Sequence, residues 1–392
     1  MKGRREIVMQ IAKDILYIGV SDRELDLFEG QFKLEKGMAY NSYLILDEQV
    51  AVLDTVDRAM SDLWFEDLQK GLAGRTPDYL VVHHMEPDHS ANIAVFMERY
   101  KSARIVATAK AFTMMKQFFG DDYADRRIVV GEGDTLSLGT HELCFITAPM
   151  VHWPEVMVSY EKASKTLFSA DAFGKFGAFD ADEDWACEAR RYYFGIVGKY
   201  GAQVQSLLKK VAGLVIDRIC PLHGPVLADN LSYYIDLYST WSSYGTESEG
   251  VLIAYTSVYG NTERAVRMLE KLLLEKGCPK VSVTDLARDD MAEAVEDAFR
   301  YGKIVLATTT YNGGIFPFMR EFIEHLVERN FQSKTVGIIE NGTWALMAEK
   351  TMKAMLEKSK NLAYTESGVH IKSALSEENM RELEALADEL MA

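Results

Sequence analysis

The stretch Tyr79–His89 (YLVVHHMEPDH) decides the fold of the first half of the chain, because it joins an apolar run to a dense group of polar side chains. The apolar residues are typical of a buried strand, and the turn that follows contains the pattern H-x-E-x-D-H. His84, Glu86, Asp88 and His89 supply four potential metal ligands within six residues. The proline between the two carboxylates keeps Glu86 out of helical conformation. We therefore predict a strand-to-turn-to-helix metal site, with an ordinary polar loop and helix N-cap as the alternative.

Three further polar residues follow apolar segments at places where α/β folds put their ligands. They are His152, Asp171 and His223. A single histidine at such a place is more often structural than a metal ligand. The three residues together with the H-x-E-x-D-H pattern favour one metal cluster.

Length and composition limit the possible classes of protein. The chain has 392 residues, of which 48% are hydrophobic and 26% charged, and a formal net charge of −16. These values predict two or three globular domains and exclude wholesale disorder. The net negative charge disfavours a nucleic-acid binder, and no apolar run is long enough for a membrane span. The basic start, Met1–Arg5, lacks the apolar stretch of a signal peptide, so we expect a cytoplasmic protein.

The metal pattern resembles that of the metallo-β-lactamase superfamily, whose signature is H-x-H-x-D-H followed by His, Asp and His. The resemblance implies an αββα sandwich for the first domain. This chain departs from the superfamily at Glu86, where the zinc hydrolases have their second histidine. The substitution adds a negative charge and a hard oxygen ligand, and mixed imidazole and carboxylate ligation suits iron better than structural zinc.

A small, polar segment, Ser239–Gly250, separates two differently patterned regions and predicts a linker. We expect domains over residues 1–249 and 250–392. After the linker, five apolar strands alternate with amphipathic helices, which predicts a flavodoxin-like, doubly wound five-stranded parallel sheet. Its fourth helix is expected over residues 344–358. In the first domain, one continuous strand is expected over residues 135–146.

The segment that joins the first strand of the second domain to its helix is rich in hydroxyl groups. Its side chains and amides, with the helix dipole, would attract a phosphate. It carries no phosphate-loop lysine and no G-x-G-x-x-G pattern, so a monophosphate such as that of FMN suits it better than ATP or NAD. An ordinary capped turn is the alternative. The segment is similar to the flavodoxin phosphate loop, and its residues are Thr256, Ser257, Val258, Tyr259, Gly260, Asn261 and Thr262.

Two later loops are predicted to contact the isoalloxazine ring, because they follow strands that end at the same edge of the sheet. Trp344 could stack on the ring or instead anchor the core. The predicted contacts are Thr310, Tyr311, Asn312, Gly313 and Gly314 in one loop and Asn341, Gly342, Thr343 and Trp344 in the other.

The metal pattern joined to a flavin domain resembles the flavodiiron proteins over nearly the whole chain. The resemblance implies that His84, Glu86 and His152 bind one iron. It implies that Asp88, His89 and His223 bind the second iron and that Asp171 bridges the two. His83 would point away from the site. No catalytic residue beyond the metal ligands is predicted.

By the same resemblance, we expect reduction of dioxygen to water, of nitric oxide to nitrous oxide, or both. The two cofactors of one chain would lie too far apart for fast electron transfer, so a head-to-tail homodimer or a dimer of dimers is expected. The cysteines Cys144, Cys187, Cys220 and Cys278 form no C-x-x-C pair, so a rubredoxin-type module is not expected on this chain. The donor would be a separate rubredoxin-like protein or a reduced deazaflavin.

Two other classes of protein remain as alternatives. One is a zinc-dependent hydrolase of the metallo-β-lactamase fold with an appended flavodoxin-like module. Glu86 and the hydroxyl-rich loop disfavour it. The other is a pure electron carrier whose first domain is vestigial.

Overall fold

The computed structural model describes residues 8–392, so the basic segment Met1–Arg5 lies outside the described residues. Two compact units divide the chain. The first contains the residues up to Tyr192 together with Ala202–Ser239, and the second contains Tyr193–Gly201 and Thr240–Ala392. The expected domain boundary at residue 249 stays a prediction.

The first unit is rich in short strands. In the described part of the chain they are β1 (Met9–Ala12), β2 (Ile15–Tyr17), β3 (Val20–Asp22), β4 (Leu27–Phe28), β5 (Phe32–Lys33), β6 (Met38–Tyr40), β7 (Tyr43–Leu46), β8 (Val50–Leu53), β9 (Tyr79–Val81), β10 (Arg104–Ala107), β11 (Arg127–Val129), β12 (Thr135–Ser137), β13 (Glu142–Thr147), β14 (Met157–Glu161), β15 (Thr166–Phe168) and β16 (Arg218–Cys220). The helices over the same stretch are α1 (Ser61–Leu72), α2 (Pro87–Ser90), α3 (Ile93–Arg99), α4 (Ala109–Phe119), α5 (Trp185–Tyr192), α6 (Gly201–Val211) and α7 (Leu231–Ser242). A π-helical turn, Tyr193–Val197, and a 3₁₀ turn, Gly198–Tyr200, connect α5 to α6.

Two sheets pack face to face in this unit and confirm the predicted sandwich. One has the order β1-β2-β7-β8-β9-β10-β11, and the other β12-β13-β14-β15-β16. Side chains alternate between the two faces of a strand. Ile15 and Tyr17 of β2 therefore join Phe145 and Phe168 in the core between the sheets. Leu16, between them, lies on the other face, where helix α1 packs through Gly71.

The continuous strand expected over residues 135–146 is wrong. The chain forms two antiparallel strands, β12 and β13, in which Leu136 pairs with Leu143. The turn between them contains Gly139, whose φ of 127° is a conformation that L side chains rarely adopt. Strands β7 and β8 form an antiparallel hairpin around Asp47 and Glu48.

The second unit alternates strands and helices as predicted. Its elements are β17 (Ser248–Tyr255), α8 (Asn261–Glu275), β18 (Val281–Asp285), α9 (Met291–Arg300), β19 (Tyr301–Tyr311), β20 (Gly314–Ile315), α10 (Pro317–Glu328), β21 (Thr335–Asn341), α11 (Ala348–Met355), β22 (Ala363–Tyr364), β23 (Val369–Ile371) and α12 (Glu377–Met391). The parallel order is β18-β17-β19-β21, and the short strands β22 and β23 both pair with β21 at the fifth position. The doubly wound sheet is confirmed.

One hydrophobic core cluster of this unit lies on the face of the sheet where α8 and α12 pack. Val251 and Ile253 of β17 meet Leu269 of α8 and Leu386 of α12 there. Strands of this type are covered on both faces, which explains their nearly continuous apolar sequences. No helix within residues 8–392 has the length and apolar character of a membrane span.

Two expectations about segment boundaries are wrong in this region. The predicted linker is partly regular, because α7 continues to Ser242 and β17 begins at Ser248. Trp241 and Ser242 are buried, so the end of the helix packs inside the protein despite its small, polar sequence. The helix expected from Trp344 begins only at Ala348. Thr310 Oγ1 accepts a hydrogen bond from the amide of Met347 (3.0 Å) and holds the preceding residues as a loop.

Candidate functional site

The first candidate site lies beyond the ends of strands β9, β13, β15 and β16. His84 and Glu86 follow β9, and Pro87 occupies the first position of the short helix α2. Glu86 precedes that helix with φ −58° and ψ 138°, as the proline requires. The turn therefore separates His84 and Glu86 from Asp88 and His89, so the two pairs of side chains can belong to two different groups of potential metal ligands.

His84, Glu86 and His152 form the first group of potential ligands. The Nε2 atom of His152 lies 2.9 Å from Oε2 of Glu86 and 3.3 Å from Nε2 of His84. His84 Nε2 lies 3.3 Å from the same Glu86 oxygen. Three donor atoms thus converge on one point, as they would around a single metal ion.

Asp88, His89 and His223 form the second group. The Nε2 atoms of His89 and His223 face each other at 3.0 Å. Oδ2 of Asp88 lies 3.4 Å from His89 Nε2 and 3.3 Å from His223 Nε2. Two imidazole nitrogens and a carboxylate oxygen therefore meet at a second point.

Asp171 lies between the two groups. Its Oδ2 is 3.0 Å from His152 Nε2, and its Oδ1 is 3.3 Å from His89 Nε2. Each oxygen therefore faces a different group, which is the geometry of a bridging carboxylate. The seven residues that the sequence predicts as ligands all lie in this cluster, and their role as ligands stays a prediction.

The unpaired polar atoms of the cluster suit bound cations. Among the described residues, both oxygens of Asp88 and Oδ1 of Asp171 are buried without a hydrogen bond. Buried carboxylate oxygens of this kind are costly unless they are paired or coordinate a metal. The donor set and the two convergence points therefore fit two metal ions that share one carboxylate.

The cluster is also strongly coupled electrostatically. Burial alone would lower the pKa of His84, but Asp171, Glu155 and Glu86 beside it raise that pKa well above the usual value. Burial would raise the pKa of Asp171, but the histidines around it hold that pKa well below its usual range. The carboxylates thus favour positive charge on the imidazoles, which is the charge that bound cations would supply.

Glu155 contacts a predicted ligand but was not itself predicted from the sequence. Its Oε1 lies 2.8 Å from His84 Nδ1 and accepts a hydrogen bond from the amide of Met85 (2.8 Å). Glu155 comes three residues after His152, in the segment His152-Trp153-Pro154-Glu155. That proximity is the signal that could have identified it.

Two further side chains near the cluster were not singled out. Burial and the neighbouring Glu86 carboxylate raise the pKa of Glu29 to about 7. Tyr192 is fully buried, and burial and Asp171 raise the pKa of its phenol well above the usual value. The Tyr192 ring also packs against the imidazole of His223, with ring centroids 5.4 Å apart. Tyr192 therefore helps to hold this predicted ligand in place.

His83 lies outside the cluster. Its Nδ1 is 2.5 Å from Oδ2 of Asp54, and its Nε2 is 2.8 Å from Oγ of Ser159. Both ring nitrogens are therefore engaged in the core below the site. His141 similarly lies 3.0 Å from Glu161, and His370 lies 2.9 Å from Glu340.

The second candidate site is a cavity of about 450 Å³ beyond the ends of β17, β19 and β21. Helix α8 begins there at Asn261, so the amides of its first turn point towards the cavity edge. Oγ of Ser257 accepts hydrogen bonds from the amides of Gly260 (3.1 Å) and Glu263 (3.3 Å). Gly260 has φ 82°, which favours glycine at this turn.

Most of the predicted flavin-binding residues line this cavity. The lining residues are Ser257, Val258, Tyr259, Asn261, Thr262, Thr309, Thr310, Tyr311, Asn341, Gly342, Thr343, Trp344, Ala345 and Ser373. Thr309 belongs to the segment that was predicted to contact the flavin, whereas Ala345 and Ser373 were not predicted. The predicted residues Thr256, Gly260, Asn312, Gly313 and Gly314 are not among the lining residues.

The structure explains why Thr256 and the Asn312–Gly313 pair do not line the cavity. Thr256 is buried, and its hydroxyl lies 2.6 Å from that of Thr308 on the neighbouring strand. Asn312 and Gly313 form the tight turn between β19 and β20, with φ values of 47° and 70°. An Asn-Gly pair is the strongest short hairpin signal, so this turn was predictable from the sequence.

Exposed aromatic rings surround the opening of the cavity. Trp344 is 93% exposed, and Tyr259 is 89% exposed. The interpretation of Trp344 as a core anchor is therefore wrong. Gly342 permits the tight loop that carries it, because a Cβ atom there would lie 2.2 Å from the carbonyl oxygen of Ala345.

Both halves of the chain match known families. The sequence model of the family described as "ODP family beta lactamase" matches residues 38–224. The model described as "Flavodoxin domain" matches residues 252–375. The chain therefore has a metallo-β-lactamase-like domain followed by a flavodoxin-like domain.

The chain is also similar to individual proteins over most of its length. The chain is 28% identical over 351 residues to the anaerobic nitric oxide reductase flavorubredoxin of Aliivibrio fischeri, covering 86% of this chain and 70% of that protein. It is 25% identical to the rubredoxin oxygen:oxidoreductase of Desulfovibrio gigas, with a TM-score of 0.88 over 98% of this chain and 97% of that one. The fold also matches the flavodiiron protein of Giardia intestinalis, at 24% identity and a TM-score of 0.90 over 97% and 95% of the two chains. These likenesses cover nearly the whole chain and support its resemblance to the flavodiiron proteins.

Proposed function

We propose that the protein is an oxidoreductase that reduces dioxygen to water, nitric oxide to nitrous oxide, or both, with FMN and two non-haem iron ions as cofactors. The observation that carries the proposal is the pair of ligand groups with Asp171 between them. The flavodoxin-like domain on the same chain and the printed names of the relatives support it.

In this proposal, His84, Glu86 and His152 hold one iron, and Asp88, His89 and His223 hold the other. Asp171 holds both. Four imidazoles and three carboxylates suit iron, because hard oxygen and neutral nitrogen ligands accommodate its ferrous and ferric states. Glu86 adds a negative charge where the hydrolase pattern has a histidine.

The flavin phosphate would lie at the N-terminus of α8. The residues proposed to hold it are those of the predicted loop that line the cavity, namely Ser257, Val258, Tyr259, Asn261 and Thr262. A hydroxyl-rich turn before a helix suits a phosphate, since amides, hydroxyls and the helix dipole all attract an anion. The end of strand β19 at Tyr311 and the loop that carries Trp344 would surround the isoalloxazine ring.

When the cofactors are bound, the flavin supplies single electrons and the two irons supply them together to a small diatomic substrate. The side chains of this chain provide a rigid and largely dry surrounding for that chemistry. His84 and His89 are fully buried, and the rings of Phe28, Tyr40 and Tyr192 pack around His223. The exposed fraction of the Glu86 side chain, 15%, is the largest among these ligands, so small molecules would approach from its side.

The partners are proposed from the family. We infer a separate electron donor, either a rubredoxin-like protein or a reduced deazaflavin, and a head-to-tail homodimer or a dimer of dimers. The dimer would bring the flavin of one subunit to the metal centre of another. Analytical ultracentrifugation beside turnover assays tests this proposal. A monomer that retained full turnover would contradict it.

Metal and flavin analysis of anaerobically purified protein tests the cofactors. The proposal expects about two irons and one FMN per chain. The competing class, a zinc-dependent hydrolase with a flavodoxin-like module, expects stoichiometric zinc, no iron and hydrolytic activity. That result would reject the proposed function.

The substrate requires a separate measurement. Anaerobic steady-state turnover with nitric oxide, beside the same assay with oxygen and the same reduced donor, gives the ratio of the two values of kcat/KM. The same ligands would serve both substrates, so either preference agrees with the proposal. Failure to consume both gases by protein that holds its full iron and FMN would contradict it.

A further inference from the structure

The two ligand groups differ in what supports their histidines from behind. His84 Nδ1 lies 2.8 Å from a carboxylate oxygen of Glu155. His223 Nδ1 donates a hydrogen bond of 2.7 Å to the main-chain oxygen of Ala39. His89 Nδ1 makes no hydrogen bond within the described part of the chain. Among these three histidines, only His84, in the first ligand group, has a carboxylate as the partner of its Nδ1 atom.

Glu155 is well placed to act on His84. Its side chain is fully buried. Its carboxylate also accepts the amide of Met85, and its main-chain oxygen accepts a hydrogen bond of 3.0 Å from Oγ1 of Thr108. These contacts fix the carboxylate beside the imidazole and direct Nε2 of His84 towards Glu86 and His152.

The charge of the ligands themselves does not distinguish the two groups. Each group contains two histidines and one carboxylate of its own, Glu86 or Asp88. Asp171 faces both groups, with Oδ2 3.0 Å from His152 Nε2 and Oδ1 3.3 Å from His89 Nε2. The outer partner of the histidine is therefore the main difference. A carboxylate that accepts the second N–H of a metal-binding histidine fixes the tautomer and raises the basicity of the ligand, and loss of such a partner weakens metal affinity about 10- to 100-fold.

From this asymmetry we infer that the position formed by His84, Glu86 and His152 binds its metal ion first and more tightly, with Glu155 as the positioning residue. This inference rests on the proposed two-metal site. The position formed by Asp88, His89 and His223 fills second and releases its ion first.

Titration of the metal-free, full-length protein with Co²⁺ under anaerobic conditions tests the order. Calorimetry and the visible absorption of Co²⁺ should show two successive steps. His223→Ala should keep the tight step and lose the weak one, whereas His152→Ala should remove the tight step. Loss of the tight step in His223→Ala instead would overturn the inferred order.

Glu155→Gln tests the role of the positioning residue, because it keeps an oxygen acceptor but removes the charge. The dissociation constant of the first step should rise about tenfold, while that of the second step stays unchanged. Glu155→Leu removes the acceptor and should weaken the first step towards 100-fold. Equal weakening of both steps, or of the second alone, would contradict the inference.

Glu161→Gln is the matched control. Glu161 is also buried and also pairs with a histidine, His141 at 3.0 Å, but it contacts none of the predicted ligands. The Glu161→Gln variant should leave the dissociation constants of both Co²⁺-binding steps unchanged. A tenfold rise in either constant would contradict a specific role for Glu155. Urea unfolding of each metal-free variant verifies that it is folded, and the ligand variants test the order even where a Glu155 variant does not fold.

The outcomes separate this inference from the proposed function. Two bound Co²⁺ ions of equal affinity, or of reversed order, would reject the inference and leave the two-metal site in place. Absence of tight Co²⁺ binding by the unsubstituted protein would contradict the proposed function and this inference together.

Discussion

The metal-ligand cluster and the flavin cavity both lie beyond the ends of strands, but different parts of the polypeptide build them. The cluster consists of side chains that converge from four segments of the first unit, between His84 and His223. The cavity is lined by four segments at one edge of a single sheet, and its rim includes the exposed Trp344. The first site is therefore a product of sheet packing, and the second is a product of local turns.

This difference predicts how each site responds to substitution. A buried side-chain ligand has no substitute nearby, so its loss should remove function outright. A loop that binds through several amides and hydroxyls spreads the binding free energy over many weak contacts. Changes there should cause graded losses of flavin affinity without loss of metal.

The largest expected effect is that of Asp171→Ala, because both ligand groups depend on this carboxylate. Metal content and turnover should fall at least about 100-fold, because removing even an outer hydrogen-bond partner of a metal ligand lowers metal affinity or activity 10- to 100-fold. FMN content should be unchanged. Metal analysis, flavin absorbance and steady-state assays measure these quantities.

The control is Asp217→Ala, an exposed carboxylate that lies 3.7 Å from Lys165. It should retain full metal and activity. If Asp171→Ala also retained all activity, the protein would act as a pure electron carrier, and the metal cluster would have no role in turnover.

Ser257→Ala should weaken FMN binding while leaving the metal content unchanged. The Ser257 hydroxyl organises the turn through two amides. A hydrogen bond to a charged group contributes about 1.5–3 kcal/mol, so the Kd of FMN should rise about 10- to 100-fold. Fluorescence titration measures it. Ser282→Ala, on β18 and bonded to Asp297, is the control and should leave the Kd unchanged.

Trp344→Ala distinguishes a flavin contact from a packing role. If the ring stacks on the flavin, FMN binding should lose about 1–3 kcal/mol, the range measured for aromatic stacking on bases. The FMN-free protein should unfold within about 0.5 kcal/mol of the unsubstituted chain, because the side chain is almost fully exposed. A large loss of stability would instead indicate packing.

The smallest expected effect is that of Asn312→Val in the turn between β19 and β20. The φ of 47° disfavours a β-branched residue, so stability should fall by about 1–2 kcal/mol in urea unfolding. Flavin affinity should stay the same, because Asn312 does not line the cavity. A raised Kd for FMN would show that this turn contacts the flavin after all.

The parts of the fold that could be predicted are those whose signal is local. The apolar strand before His84 and the alternating elements after residue 250 follow from side-chain periodicity. Boundaries were less accurate where a distant contact decides them. The loop before Ala348 is held by Thr310, and α7 continues to Ser242 because its end is buried.

The two candidate sites also divide into features set by local sequence and features set by distant contacts. The sequence alone determined the metal motif, because His84, Glu86, Asp88 and His89 are neighbours along the chain, and it determined the hydroxyl-rich turn at the start of α8. Only the tertiary structure decided that Asp171 lies between two ligand groups and that Glu155 supports one of them. The physical reason is that these contacts depend on how the two sheets pack, and packing is a property of the whole domain rather than of any local pattern.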